Sequence, residues 1–341
     1  MRPAREPRAV VFGCAGAVLG EAERRFFGES DPLGFILFER NCRNKAQVRA
    51  LTAELRATVG RNDAPILIDQ EGGRVARLKP PVWRAAPSAR SLARLSERSL
   101  DDASRAVWLN ARLIALELAE LGITVDCAPV LDLAWPESHG VIGDRAFAAD
   151  PARVALLGRK MCEGLAAGGI ASVIKHIPGH GRARADSHLE LPEVAATRSE
   201  LAATDFAPFK ALKDQPWAMT AHVRFSAIDK TAPATLSAKL IKEVIRGEIG
   251  FDGALLSDDI GMRALTGGLG ERAAGALAAG CDVALHCSGV LEEMAEVSAA
   301  VPRLSAAASR RVVRALAQRS ADPSFEAASA RAELDGLVAA A

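Results

Sequence analysis

The chain has 341 residues, of which 49% are hydrophobic and 25% are charged, and its formal net charge at pH 7 is only +1. Because 43 basic residues are matched by 42 acidic ones, the composition gives no electrostatic argument for binding nucleic acid or an anionic membrane. No apolar run approaches the roughly 18 to 20 residues of a membrane-spanning helix. We therefore expect a large apolar core, with no nucleic-acid partner and no membrane partner.

The six cysteines are scattered along the chain, and no two of them form a Cys-x-x-Cys pair. This spacing is typical of reduced, buried thiols in a cytoplasmic protein. Export is the alternative, since Arg2, Arg5 and Arg8 precede a short apolar run that ends near Cys14. A signal segment needs a longer apolar core, so we interpret this run as a first β-strand.

Short apolar runs alternate with helix-like segments from the N-terminus onward. The runs that predict buried strands lie at residues 9–15, 34–39, 65–70, 124–131, 170–175, 217–223, 253–258 and 281–286. The main predicted helices lie at residues 44–59, 101–121, 151–168, 199–213, 237–247, 270–279, 289–300 and 303–319. Eight buried strands, each followed by a helix or a long loop, predict an α/β fold whose parallel sheet closes into a single (β/α)8 TIM-type barrel.

An open doubly wound sheet is the alternative architecture. It would normally carry a glycine-rich phosphate-binding turn after its first strand, and residues 13–16 (Gly-Cys-Ala-Gly) do not match that fingerprint. The sequence contains no internal repeat, low-complexity tract or linker. We therefore expect one catalytic barrel domain over residues 1–341, with the alanine-rich residues 319–341 as a peripheral C-terminal tail.

Polar side chains stand at the carboxyl ends of five predicted strands. They are Asp69, Lys175, His176, His222, Asp258, Asp259 and His286. In (β/α)8 barrels the catalytic residues come from this end of the strands. A single aspartate at a strand end often only caps the following turn, but a whole set on one rim indicates an active site.

The densest group of polar residues spans residues 175–188, and a metal site is one interpretation of it. The ligands would be His176, His180, Asp186 and His188. Two histidines four residues apart bind zinc when a helix places them on one face. Here Pro178 and Gly179 stand between the first two histidines and prevent that helix. We therefore expect no metal and no other cofactor.

A serine hydrolase is the second interpretation of this region. Asp186, Ser187 and His188 are adjacent, whereas the members of a catalytic triad approach one another from separate segments. The chain also lacks the Gly-x-Ser-x-Gly turn that presents a nucleophilic serine. Both observations disfavour this chemistry.

Glycoside hydrolysis is the third interpretation, and it requires a carboxylate nucleophile and a separate acid/base group. Asp258 could supply the nucleophile. In an extended loop residues i and i+2 point the same way, so Asp186 could orient and charge the imidazole of His188. An aspartate partner raises the pKa of a histidine. This suits a group that first protonates the leaving oxygen and then acts as a base.

Five motifs support the third interpretation. In chain order they are residues 68–75 (Ile-Asp-Gln-Glu-Gly-Gly-Arg-Val), 142–147 (Ile-Gly-Asp-Arg-Ala-Phe), 175–181 (Lys-His-Ile-Pro-Gly-His-Gly), 185–188 (Ala-Asp-Ser-His) and 256–262 (Leu-Ser-Asp-Asp-Ile-Gly-Met). Together they closely resemble the motifs of bacterial β-N-acetylhexosaminidases of glycoside hydrolase family 3, and especially the single-domain cytosolic type that works in peptidoglycan recycling. The resemblance spans roughly residues 9 to 300, in the family's order and at similar spacing.

The resemblance implies a role for each matching residue. It implies that Asp258 is the nucleophile and that His188, assisted by Asp186, is the acid/base. The residues implied to bind the sugar are Asp69, Arg77, Arg145, Lys175 and His176. The implied activity is that of a retaining exo-β-N-acetylglucosaminidase acting on N-acetylglucosaminyl-1,6-anhydro-N-acetylmuramyl peptide. We expect a monomer that binds this small muropeptide.

Several neighbouring residues are interpreted as structural. They are Asp259, expected to bind loop amides, His180, expected to shape its loop, and His286 and Cys287, expected to pack at the rim. His222 could equally line the pocket or be a satisfied rim residue. We expect Arg74 and Glu71 to pair with each other or with the backbone. Arg182 and Arg184 are interpreted as solvated loop charges, with recognition of an anionic aglycone as the alternative.

Two other functions remain open at this stage. A phosphorylase could use the same site, because a neutral histidine base repels phosphate less than a carboxylate does. A non-catalytic sugar-binding barrel is the alternative of a different class. For the local geometry, we expect a cis or strained peptide within residues 175–178, where two side chains must enter one pocket directly before a proline.

Overall fold

The structure, a computed structural model, describes residues 6–136, 140–187, 189–317 and 324–339. Its centre is a closed barrel of eight parallel strands. They are β1 (Arg8–Gly13), β2 (Pro32–Leu37), β3 (Ile66–Ile68), β4 (Val125–Asp126), β5 (Ala171–Ile177), β6 (Trp217–Thr220), β7 (Ala254–Asp259) and β8 (Val283–His286). Each strand pairs with the next along the chain, and β8 pairs with β1. The predicted (β/α)8 barrel is therefore confirmed.

Helices surround the barrel. They are α1 (Glu21–Ser30), α2 (Lys45–Val59), α3 (Ala89–Arg94), α4 (Leu100–Glu120), α5 (Pro151–Ala167), α6 (Arg198–Ala203), α7 (Ala207–Ala211), α8 (Ala238–Leu240), α9 (Leu269–Ala279), α10 (Leu291–Ala300), α11 (Ala306–Ala317) and α12 (Ala327–Ala339). Helix α8 continues directly as a π-helix, Ile241–Glu248. In the described ranges, no helix combines the length and apolarity that a membrane crossing requires.

Local sequence signals set where several helices begin. The side chains of Asn44, Ser99 and Asp150 each accept a hydrogen bond from the backbone N–H three residues later, at the starts of α2, α4 and α5. Such N-caps satisfy backbone donors that have no partner within the helix. Pro151 follows the cap of α5, at a position where its missing N–H costs nothing.

Alternating residues of the strands divide the core into two layers. Side chains such as Val11, Ile36 and Val173 fill the inside of the barrel, while Phe12 and Phe35 face the helices. Helix α11 packs against the inner layer and closes the amino end of the strands, where Arg311 Nη1 lies 3.1 Å from Asp282 directly before β8. The carboxyl end is therefore the end at which a ligand can enter.

The C-terminal segment forms a helix that packs on the barrel's outer layer. Helix α12 buries Ala330 and Leu334 and contacts α4, to which it is also joined by a salt bridge of 2.7 Å between Arg105 and Glu333. Residues 318–323, where the predicted tail begins, lie outside the described residues. The six cysteines are all free thiols, four of them buried.

Gly34 in β2 provides a test of the packing between strands. A Cβ atom added at Gly34 would lie 2.3 Å from the carbonyl oxygen of Pro65 and 2.7 Å from its Cγ. Because this oxygen accepts the N–H of Phe35 in the sheet, it cannot move away freely. We expect Gly34→Ala to lower the free energy of unfolding by about 1 to 3 kcal/mol in urea titrations.

The control for this test is Gly336→Ala in α12, where no atom of a described residue lies within 4 Å of an added Cβ. Alanine has the higher helix propensity, so this variant should be neutral or stabilised by up to about 1 kcal/mol. If Gly34→Ala were as stable as Gly336→Ala, the close approach of the two strands would be wrong.

Candidate active site

A pocket with a volume of about 280 Å³ opens at the carboxyl end of the barrel. The predicted site residues that line it are Asp69, Arg77, Arg145, Lys175, His176 and Asp258. The volume lies just below the range of roughly 300 to 1,000 Å³ for small-molecule sites, so the pocket suits one small polar ligand. Asp186 is described but does not line this pocket, and His188 lies outside the described residues.

Five charged side chains form an ion cluster on one side of the pocket. The Nζ atom of Lys175 lies 2.8 Å from Asp69 Oδ1 and 2.7 Å from Glu71 Oε1. Arg77 Nη2 lies 3.0 Å from Asp69 Oδ2. Arg145 binds Glu71 through two parallel hydrogen bonds of 2.8 and 2.9 Å. Three cations and two carboxylates leave one net positive charge, and the paired geometry fixes the direction of every donor.

Mutual pairing keeps this cluster ionised in spite of its burial. Burial alone would raise the pKa of Asp69 and Glu71, but the neighbouring cations outweigh it, holding the pKa of Asp69 well below its usual range and that of Glu71 at about 2. Burial alone would lower the pKa of Lys175, but the two carboxylates hold it above its ordinary value. The pocket therefore offers fixed charges to a polar ligand, with cations that can donate hydrogen bonds and carboxylates that can accept them.

The predicted pairing of Glu71 with Arg74 is wrong. Arg74 Nε binds Asp144 Oδ1 at 2.7 Å, and its Nη2 atom binds the carbonyl oxygens of residues 140–142. The expected backbone bonds of Arg74 are thus present, while Glu71 pairs with Arg145 and Lys175 as described above. Sequence reasoning missed Glu71 as part of the site, although it stands two residues after Asp69 in the same motif.

Asp132 is a second residue that sequence reasoning missed. Its Oδ2 lies 2.7 Å from His176 Nδ1, and its Oδ1 accepts the backbone N–H groups of His176 at 3.2 Å and His180 at 2.6 Å. Because Nδ1 of His176 faces this carboxylate, Nε2 is the ring nitrogen available to the pocket. The sequence feature that could have identified Asp132 is its position as a carboxylate between two leucines, directly after the predicted strand at residues 124–131.

Two expectations about residues 175–180 are confirmed. The peptide bonds Lys175–His176 and Ile177–Pro178 are both cis, and the Lys175 and His176 side chains line the same pocket. His180 acts as a hydrogen bonder within its loop, since its Nε2 lies 3.1 Å from Ser187 Oγ. Burial lowers the pKa of His180 to about 4, so its ring is neutral at pH 7.

Asp258 is the next-to-last residue of β7 and faces the pocket as an ionised carboxylate. Burial by itself would raise the pKa of Asp258, but the rings of His222 and His176 and the backbone N–H of Asp259 bring it below its ordinary value. That N–H donates to Asp258 Oδ1 at 2.8 Å. A carboxylate must be deprotonated to attack carbon, and Asp258 meets this requirement at neutral pH.

Asp259 differs from its neighbour, as the sequence predicted. Its Oδ1 accepts the backbone N–H groups of Gly261 at 3.0 Å and Cys287 at 3.2 Å, so the side chain binds loop amides. Burial raises the pKa of Asp259. His286 is 1% exposed and its Nε2 lies 3.0 Å from Ser288 Oγ, which confirms it as a packed rim residue.

A chain of hydrogen bonds fixes the backbone on either side of the Asp258 carboxylate. His222 Nε2 donates to the carbonyl oxygen of Asp259 at 2.9 Å, so Nδ1 of the neutral ring accepts from Thr235 Oγ1 at 2.7 Å. Thr235 Oγ1 lies 2.8 Å from Thr220 Oγ1, which accepts the N–H of Asp258 at 3.4 Å. Burial lowers the pKa of His222. Among the two open interpretations of His222, the structure supports the satisfied residue.

The segment that the sequence predicts to carry the acid/base is described up to Ser187 and again from Leu189. The carbonyl oxygen of Asp186 accepts the N–H groups of Leu189 at 2.9 Å and Glu190 at 3.0 Å. His188, the predicted acid/base, lies outside the described residues. Within the described part of the chain, no group of three or more His, Cys, Asp or Glu side chains could hold a metal ion.

Asp126 is buried under the ion cluster, and sequence reasoning did not single it out. Its Oδ1 accepts the backbone N–H of Gln70 at 2.9 Å, and its Oδ2 has no hydrogen-bond partner among the described residues. Burial raises the pKa of Asp126 to about 7. This carboxyl group therefore takes up or loses a proton near neutral pH, unlike Asp69 and Glu71 above it.

The raised pKa of Asp126 predicts a dependence of stability on pH. A carboxyl group whose pKa is raised by folding stabilises the protein below its unfolded pKa, and this stabilisation is lost as pH rises through the folded pKa. Asp126→Asn cannot ionise. Between pH 5 and pH 7 the free energy of unfolding of the wild type should therefore fall relative to that of Asp126→Asn, by about 1.4 kcal/mol per pH unit at most. Parallel urea-unfolding curves across this range would contradict the raised pKa.

Comparison with known proteins identifies relatives of the whole barrel. The sequence profile described as Glycosyl hydrolase family 3 N terminal domain matches residues 28–319. The chain is also 40% identical over 288 residues to the Beta-hexosaminidase of Bordetella avium (strain 197N), a match that covers 83% of this chain and 81% of that protein.

Two solved structures resemble this one over nearly its full length. NagZ from Neisseria gonorrhoeae in complex with N-trifluoroacetyl-D-glucosamine has a TM-score of 0.89 and 33% identity, over 98% of this chain and 99% of that one. A glycoside hydrolase family 3 β-N-acetylglucosaminidase from Paenibacillus sp. str. FPU-7 has a TM-score of 0.85 and 31% identity, over 96% of this chain and 66% of that one.

Proposed function

The chain belongs to glycosyl hydrolase family 3 and is a glycoside hydrolase of the β-hexosaminidase type, and from this premise we propose that it removes terminal N-acetylglucosamine from peptidoglycan fragments. The single observation that carries the proposal is the position of an ionised Asp258 in one small pocket with the Lys175 ion cluster and His176. An ionised nucleophile beside fixed charges that bind hydroxyl groups is what a retaining glycosidase requires.

In the proposed first step, a carboxylate oxygen of Asp258 attacks the anomeric carbon. The bond from that carbon to the leaving oxygen breaks as the new bond forms, and in this proposal His188 donates a proton to the leaving oxygen. The product is a covalent glycosyl-enzyme. In the second step His188 removes a proton from water, the hydroxide oxygen bonds to the anomeric carbon, and the Asp258 carboxylate is released.

The ion cluster is the proposed binding site for the non-reducing sugar. Arg145 and Lys175 can donate hydrogen bonds to its hydroxyl groups, Asp69 can accept them, and Nε2 of His176 adds one more polar atom. Hydrogen bonds to buried charged groups are worth roughly 1.5 to 3 kcal/mol each. The pocket volume of about 280 Å³ suits one sugar ring better than two, which supports exo-cleavage of a terminal residue.

The names of the relatives support an N-acetylated sugar as the substrate. The similar Neisseria protein was solved with N-trifluoroacetyl-D-glucosamine, and the Paenibacillus protein is a β-N-acetylglucosaminidase. We extend the proposal to the aglycone as a 1,6-anhydro-N-acetylmuramyl peptide, and to a monomeric enzyme of the cytoplasm that recycles peptidoglycan. Release of N-acetylglucosamine from this muropeptide tests the proposal, and in phosphate buffer the formation of a sugar 1-phosphate would indicate a phosphorylase instead.

The assignment of the nucleophile predicts different losses at two adjacent aspartates. Asp258→Ala removes the attacking atom and should lower kcat on a chromogenic N-acetylglucosaminide by roughly 10³-fold or more. Asp259→Asn keeps the loop hydrogen bonds in part and should lose far less. Circular dichroism should show that both variants are folded. If Asp259→Asn were the inactive variant and Asp258→Ala remained active, the nucleophile would be the other aspartate.

The assignment of the acid predicts a dependence on the leaving group. His188→Ala cannot protonate the departing oxygen, so it should be severely impaired on a sugar leaving group, by about 10²- to 10⁴-fold in kcat/KM. An activated phenol departs without protonation, so kcat/KM on a nitrophenyl glycoside should fall much less. Equal losses on the two substrates would show that His188 is not the general acid.

A further inference from the structure

Arg182 stands in the loop that leads from β5 to Asp186, where the sequence suggested a solvated charge. The structure contradicts this expectation. Only 23% of the Arg182 side chain is exposed, its Nε lies 2.6 Å from Asp205 Oδ2, and its Nη2 lies 3.1 Å from Thr204 Oγ1. Two of its three nitrogens are thus engaged inside the protein, which disfavours the alternative role in binding an anionic aglycone.

Asp205 and Trp135 complete a cluster around this guanidinium group, which we call the Arg182 anchor. The side chain of Asp205 is 1% exposed, and its Oδ1 accepts the indole N–H of Trp135 at 3.3 Å. The guanidinium carbon lies 3.8 Å from the centroid of the Trp135 ring. A planar group that stacks on an aromatic ring and donates two directed hydrogen bonds is a role that lysine cannot reproduce.

The anchor connects three separate segments of the chain. Trp135 belongs to the segment after β4, Arg182 to the loop after β5, and Asp205 to the link between α6 and α7. The loop backbone also approaches this cluster closely, since a Cβ atom added at Gly179 would lie 2.9 Å from Asp205 Cβ. The first turn of the loop is therefore held against buried groups.

The far side of the loop is held by separate contacts. Ser187 Oγ binds His180 Nε2 at 3.1 Å, and the carbonyl oxygen of Ser187 accepts the N–H of Ala264 at 3.3 Å. Asp186 therefore lies between two fixed points, with the Arg182 anchor on one side and the Ser187 contacts on the other. The carboxylate of Asp186 is the group assigned to assist the acid/base.

We propose that Arg182 is a positioning residue for the acid/base step. Through Asp205 and Trp135 it holds residues 179–187, the segment that contains Asp186, while Arg182 itself does not line the pocket. This inference rests on the proposed function. Because Asp258 is held by β7 and its own hydrogen bonds, loss of the anchor should weaken protonation of the leaving group and leave nucleophilic attack nearly intact.

The test compares Arg182→Met with Arg182→Lys on two substrates. Arg182→Met should lose about 10- to 100-fold in kcat/KM on N,N′-diacetylchitobiose, which needs protonation of its leaving sugar. On 4-nitrophenyl N-acetylglucosaminide, which does not, the loss should be within about threefold. Arg182→Lys keeps the charge and should recover part of the loss on the disaccharide. Both comparisons use kcat/KM, because it reports the glycosylation step.

Two further variants keep the result interpretable. Arg159→Met is the matched control, since Arg159 also donates two side-chain hydrogen bonds, of 2.9 and 3.0 Å, in its case both to Asp214 on the outer surface. The kcat/KM of this variant should be unchanged on both substrates. If Arg182→Met fails to fold, Thr204→Val removes the contacts of Thr204 Oγ1 with Arg182 Nη2 at 3.1 Å and with Asp205 Oδ2 at 2.8 Å but leaves the Arg182–Asp205 pair, so it should show the same selective loss in weaker form.

Other outcomes would overturn the positioning role. Equal losses on the two substrates, with a lowered melting temperature, would make the anchor a purely structural contact. Unchanged kcat/KM on both substrates would show that the anchor does not act on the reaction. Failure of the proposed function has a different signature, because Asp258→Ala would then retain activity whatever Arg182→Met does.

Discussion

Lys175 brings its ammonium group to the pocket with only 2% of its side chain exposed. Removing such an ion from water costs several kcal/mol, and the cost is offset only where the geometry of its partners is good. Asp69 and Glu71 satisfy this condition, and each also binds an arginine. The pairing therefore ties together the end of β5, the loop after β3 and the segment that carries Arg145. Any variant that removes one member therefore leaves at least one charge of the cluster with a partner missing.

Five aspartates near the pocket have the same functional group and different tasks, because their surroundings differ. Asp69 is ionised among cations, whereas Asp126 beneath it has a raised pKa and an oxygen with no hydrogen-bond partner among the described residues. Asp132 orients His176 and binds loop amides. Asp258 faces the pocket as an ionised group, and Asp259 binds the backbone of two neighbouring loops. The protonation state and the contacts of each aspartate at this site are therefore determined by its surroundings and not by its residue type.

The barrel could be predicted from the sequence because buried parallel strands are continuous apolar runs. The predictions failed where the backbone has other constraints. Strand β4 covers only Val125–Asp126 of the predicted 124–131, since Pro129 lacks the N–H that a sheet requires and Val130 makes only an isolated bridge to Lys175. Helix α12 was not predicted, because its alanine-rich sequence buries few large side chains against α4.

The residues of the site could be predicted from motifs, but their partners could not. The motif containing Asp69 marks Glu71 as a neighbour, yet its partner Arg145 is 74 residues away in the chain. The choice between Arg74 and Arg145 depends on how two loops approach each other over the barrel rim, and no local pattern encodes that approach.

The same reasoning applies to Arg182, whose surroundings come from three segments. From the sequence, a charged residue between small residues in a loop is interpreted as solvated, because the sequence alone does not reveal that Asp205 and Trp135 lie beside it. The proposed nucleophile and the residue proposed to assist the acid/base are held in different ways. Asp258 belongs to a barrel strand, whose position is fixed by neighbouring strands on both sides, whereas Asp186 belongs to a loop held at two points. A group that must serve both a departing sugar and an incoming water is better placed on the loop than on the strand, because small adjustments of a loop disturb fewer buried contacts.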